Sequence, residues 1–121
     1  ACQPLRVMHH APFRLKVPAA RNYRAGLSGF EDLLGILKER PATLLHGHLH
    51  RLGRRRLGSL EILGVPSASN VCGRAEDQAA CHRLSMNGQG VLKAETLRLW
   101  PEGEGAWRVE ELPLPAEALL R

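Results

Sequence analysis

Aromatic residues make up only 4% of the 121-residue chain: two Phe, two Trp and one Tyr. Single-strand nucleic-acid binders need stacking platforms, so this scarcity weighs against that class. Long apolar runs are missing too, and none approaches the ~18 residues of a membrane-spanning helix. No charged opening followed by an apolar stretch marks a secretion signal. Cysteine is sparse and odd in number, with Cys2, Cys72 and Cys81 and no C-x-x-C spacing. That argues against a disulfide framework and against reading Cys81-His82 as half a zinc site. It points to a reducing, cytoplasmic setting in which Cys72 and Cys81 are buried structural thiols. Aspartate is nearly absent, with Asp32 and Asp77 alone. Lysine is scarce as well, so arginine carries the net charge of +5.

What remains is an ordinary globular composition, 44% hydrophobic and 24% charged, sized for at most one domain. The chain has no initiator Met and its first apolar run begins at Leu5, so it reads as starting inside a domain. A mildly basic balance suits phosphate-bearing substrates, although surface solvation accounts for most of the arginine. The densest run, Arg54-Arg55-Arg56, is expected to be a solvated turn.

Histidine is the informative residue. Five of six fall in two clusters, His9-His10 and His46, His48 and His50; His82 stands apart. Leu5 to Met8 is a short apolar run bounded by prolines, predicted as a buried strand with His9 and His10 at its carboxyl end. Residues 13 to 27 show no period and are basic, which fits a lid or binding loop and a plain surface connection equally; Arg21 and Arg24 are weak candidates for phosphate contact. Ser28-Gly29-Phe30-Glu31 has the form of a capping box. It predicts a helix with Phe30, Leu33, Leu34 and Leu37 on one face, stopped by Pro41. Thr43 to Leu45 forms the next strand.

A strand–helix–strand order predicts parallel pairing, and parallel strands end on one edge. The two histidine clusters should therefore meet there. In extended backbone, alternate residues such as His48 and His50 share a face and can aim at one point, which in imidazoles usually means a metal. Beyond them, Leu57 to Leu63 is predicted as one strand, and Gly64 to Asn70 as a turn followed by small residues with scope for a tightly packed strand. Arg83–Met86, Val91–Trp100 and Trp107–Leu112, with turns at Asn87-Gly88 and Glu102–Gly105, make an antiparallel meander. Leu114 to Arg121 is a tail with scope for a short helix. The fold class is α+β, one crossover unit followed by antiparallel strands.

These segments carry a resemblance. "RVMHHAPF" resembles the strand and H-H-P-P segment of the calcineurin-like metallophosphoesterases. "TLLHGHLHR" resembles their closing G-H-x-H segment, and "LGVPSASN" is similar to the stretch that follows in bacterial members near the class III cyclic-nucleotide phosphodiesterases. The resemblance covers residues 5 to 70, with Ala11 replacing the commoner proline. It implies a four-layer α/β/β/α sandwich and phosphoester hydrolysis by two divalent ions drawn from manganese, iron, zinc, nickel and cobalt. It implies His9 and His48 as ligands of one metal and His50 as a ligand of the second. His10 and His46 have no ligand role in that pattern; they would orient ligands or approach substrate.

The family's Asp-x-His, Gly-Asp-x-x-Asp and Gly-Asn-His segments have no counterpart here. Residues 1–121 are therefore expected to be the C-terminal portion of a single domain. The expected partners are the missing N-terminal half and a small-molecule phosphoester, with no membrane or nucleic acid. An exposed cut face would favour association, including homo-oligomers. Three neutral imidazoles bring no negative charge, so they suit one cation rather than a pair. The alternative reading is a metal-binding or interaction module that never catalyses.

Overall fold

The computed structural model describes residues 3–14, 26–68 and 78–119. Strand β1 (Leu5–Met8) leads, through helix α1 (Phe30–Leu37), to β2 (Ala42–His46). The two strands pair in parallel from Leu5 opposite Thr43 to Met8 opposite His46, as the strand–helix–strand order requires. The chain then forms β3 (Gly53–Leu57), β4 (Leu60–Gly64), β5 (Ala80–Asn87), β6 (Gly90–Pro101), β7 (Trp107–Pro113) and β8 (Glu117–Leu119). These strands make two sheets, one ordered β1-β2-β4-β3-β8 and one ordered β5-β6-β7. The architecture is mixed α+β. No helix among the described residues is long and apolar enough to cross a membrane.

The core lies between the five-stranded sheet and α1. Register places Ala42, Leu44 and His46 on one face with Leu60, Ile62 and Gly64 of β4. That face packs Ala11, Phe13 and Leu34 into one cluster with Ala42, Leu44, Leu60 and Ile62, flanked by Met8, Phe30, Leu37, Leu49 and Leu57. Burying such side chains contributes roughly 1.5–3 kcal/mol each before entropy is subtracted. On the opposite face Thr43 and Leu63 are also buried, at 2% and 1% exposure. Hydrogen bonds between described residues tie the sheets: the Gln3 N–H donates to Gln89 O at 3.0 Å, and His82 Nε2–H to Gly64 O at 3.0 Å.

Several expectations need correction. Leu5–Met8 is an edge strand rather than a buried one, with Arg6 and Val7 exposed. The capping box does not form. Gly29, left-handed at φ 78°, is the residue before the helix, and α1 has no side-chain cap. Gly29 O accepts Leu33 N–H at 3.3 Å, which leaves Ser28 one residue too early to cap. The helix ends at Leu37 with Lys38 as its cap, well before Pro41. Residues 54–56 are not a turn but the centre of β3, half-buried throughout. Nor is 57–63 one strand. Gly58 (φ 57°) and Ser59 make a two-residue hairpin loop, with Leu57 paired to Leu60; a glycine with positive φ first in the loop is the type II′ signature. Residues 65–68 are irregular rather than a strand, and 69–70, Arg21, Arg24 and Cys72 lie outside the described residues. The C-terminal tail forms β8, parallel to β3, instead of a helix. Glu117 holds it there, pairing with Arg54 at 3.5 Å and Arg56 at 3.0 Å. Cys81 is exposed, not a buried thiol. The meander of β5, β6 and β7 forms where the turn signals place it.

Candidate metal centre at the carboxyl edge of the sheet

Because β1 and β2 are parallel, the segments that follow them leave from the same edge. The Gly47 N–H donates to His9 O at 3.1 Å, extending the ladder one step past the strands. The chain then bends. Leu49 N–H donates to Gly47 O at 2.7 Å, across a His48 whose φ is 63°. A bond from residue i+2 back to i with positive central φ is the rare, strained γ-turn. His50 is left-handed as well, at φ 55°. Two such non-glycine residues within three positions store about 1–3 kcal/mol each, a cost that clusters at functional sites. Extended alternation therefore does not aim these imidazoles; tight turns do.

The result is a three-ring cluster. His48 Nδ1 lies 2.9 Å from His9 Nε2. Ring centroids are 4.7 Å apart for His9 and His48, 4.4 Å for His10 and His48, and 5.0 Å for His9 and His10. Partial desolvation and the nearby His10, His9 and His50 hold His48 below the ordinary imidazole value, since a proton on one ring opposes a proton on the next. His9 and His48, predicted as ligands of one metal, thus meet. His50 lies close enough to His48 to affect its charge but outside the ring contacts, and His10 fills the third place. Adjacency of His9 and His10 was the signal for that role.

His46 goes elsewhere. It is the last residue of β2, 4% exposed, and faces the core side of the sheet. Its Nδ1–H donates to Gly47 O at 3.1 Å, and Phe13 packs edge-on at 5.4 Å between centroids. Its Nε2 is buried without a partner among the described residues. A Cβ on Gly64 would lie 2.8 Å from this ring, so glycine there makes room for it. Burial, ahead of the nearby Arg55 and His82 charges, pushes His46 below its usual range, against the raising effect of its Gly47 hydrogen bond.

His82 is a structural bridge. Its Nε2–H donates to Gly64 O at 3.0 Å, and the buried Thr96 hydroxyl lies 3.2 Å from Nδ1. The neutral Nε2–H tautomer satisfies both contacts. Burial holds its pKa below the ordinary value.

The donor set fits one cation. Two ring nitrogens 2.9 Å apart can both reach an ion at metal–nitrogen bonds of about 2.0–2.1 Å. Both must then be bare, so the cation replaces the N–H···N bond that now joins the rings. No group of three or more His, Cys, Asp or Glu among the described residues is arranged as a ready metal site, and a second cation would need carboxylates that the cluster lacks. No protein-family model matches the chain, and no curated protein matches its sequence.

Proposed function

We propose that the chain is the C-terminal portion of a metal-dependent phosphoesterase domain, a four-layer sandwich completed by an N-terminal half. One observation carries the reading. The histidines that follow β1 and β2, 39 positions apart, meet at 2.9 Å on one sheet edge. In this reading His9 and His48 hold one divalent ion and His50 helps to hold a second. Bound metal supplies Lewis-acid polarisation of phosphoryl oxygens and acidifies the attacking water. His10 packs on His48 and orients it; the γ-turn at His48 fixes its direction before any ion arrives. β1 stands at a sheet edge with Val7 75% exposed, which offers a place for upstream strands to pair.

The alternative is a metal-binding module without catalysis, favoured by a cluster that consists of three imidazoles among the described residues. The test joins the chain to its upstream sequence and measures manganese- or zinc-dependent hydrolysis of bis(p-nitrophenyl) phosphate. Metal-dependent turnover lost in His48→Ala supports the phosphoesterase. Metal binding with no turnover leaves the module.

A further inference from the structure

The arginine run of β3 is divided by the sheet. Arg54 and Arg56 point to one face, where Arg54 meets Glu61 at 2.6 Å and both reach Glu117. Arg55 points to the other, core-side face, opposite the buried Ile62. There its guanidinium lies over the Phe13 ring, 4.2 Å from the centroid. No carboxylate among the described residues pairs with it. Burial of this charge lowers the Arg55 pKa, the mark of a cation held without a counter-ion.

Two paired glycines bring this cation towards the orphaned nitrogen of His46. Gly53 and Gly64 are opposite one another in the hairpin. Arg55 Nη1 lies 2.9 Å from the Cβ position of Gly53, and His46 Nε2 lies 2.8 Å from that of Gly64. A guanidinium that needs an acceptor and an imidazole nitrogen that needs a donor therefore stand over neighbouring residues. They lie on the edge that carries the histidine cluster, about two strand spacings, or ~10 Å, from the end of β2 to β3. Phe13 packs against both, its ring under the Arg55 guanidinium and edge-on to His46.

We infer that Arg55 and His46 form a binding site for a singly protonated phosphoryl group, beside the three-histidine cluster rather than within it. Hydrogen phosphate or a phosphomonoester satisfies both partners: its charged oxygens accept from the guanidinium, and its P–OH donates to His46 Nε2. The phosphoryl class rests on the phosphoesterase reading, in which this site holds a second phosphate of the substrate; the oxyanion site itself does not.

The test titrates inorganic phosphate into the chain and follows the Arg55 Nε–H resonance by NMR. A saturable shift is expected at Arg55 and none at Arg14, whose side chain is 74% exposed. Arg55→Gln should raise the phosphate Kd at least about ten-fold, and Arg14→Gln, with the same loss of charge, by less than about two-fold. Gly53→Ala keeps the arginine but puts a methyl 2.9 Å from Nη1, so the guanidinium end must move from its place and phosphate should weaken, by less than in Arg55→Gln. If Arg55→Gln does not fold, the Gly53→Ala chain and the unsubstituted titration decide. Equal shifts at Arg55 and Arg14, or equal losses in Arg55→Gln and Arg14→Gln, would reduce the effect to net charge and overturn the site. Phosphate bound at Arg55 in a longer protein that hydrolyses no phosphoester keeps the site and removes the phosphoesterase. Metal-dependent hydrolysis with KM for a bisphosphorylated substrate unchanged by Arg55→Gln does the reverse.

Discussion

Gly64→Ala tests whether His46 is held in one position. The added methyl would sit 2.8 Å from both Cε1 and Nε2 of the His46 ring and 3.3 Å from Arg51 O. Real Cβ atoms do not approach ring atoms so closely, so something must shift. The ring has little freedom, because Phe13 packs on one side and Nδ1–H is bonded to Gly47 O. Strand β4 has little either, being paired on both sides. Overpacking of this kind costs about 1–3 kcal/mol. A value near 2 kcal/mol corresponds to a fall in Tm of roughly 6–10 °C for a domain of this size. The strain should also reach the histidine cluster, since His46 and His48 flank Gly47, so cobalt binding should weaken with stability. The assay is urea unfolding followed by circular dichroism, with a cobalt titration of the folded protein. Adding His46→Ala should recover part of the loss, because it removes the ring that the methyl meets. A Gly64→Ala chain as stable as the parent, or a double variant whose losses simply add, would refute the packing argument.

Acid should destabilise the fold through His46 and His82. Burial lowers both pKa values from an ordinary 6.5, so the unfolded chain takes up protons first as pH falls. Their contribution is full above about pH 6.5 and is lost as pH falls through the folded values. Urea midpoints at pH 7.5 and 5.5 measure this; equal midpoints would contradict it. In the cluster, His9→Ala or His48→Ala should abolish the visible spectrum of bound cobalt, and His50→Ala should change it less. A spectrum lost only in His50→Ala would show that the 2.9 Å pair is not the primary site.

Much of this protein was legible in order along the chain. The apolar run before His9 and the helix with its apolar face follow from local periodicity. So do the second strand and the turns at Asn87-Gly88 and Glu102–Gly105, because spacing and turn residues act within a few positions. Convergence of His9 with His48 followed from topology, since parallel strands share an edge. Pairing decided the rest. Arg54 and Arg56 became strand residues because Glu61 and Glu117 arrive from β4 and β8, one of them 61 positions away. The Gly58-Ser59 loop that makes this hairpin is a local signal, masked by the run of arginines before it, whose charges alone predict a solvated turn. His46 left the cluster and entered the core because Gly64, on the neighbouring strand, has no side chain. His48 turned towards His9 only after a γ-turn that alternation does not predict. Sequence spacing determined β1, α1, β2 and the meander; the side chains that meet across strands determined β3, β8 and which histidines share a site, and left Arg55 without a carboxylate among the described residues.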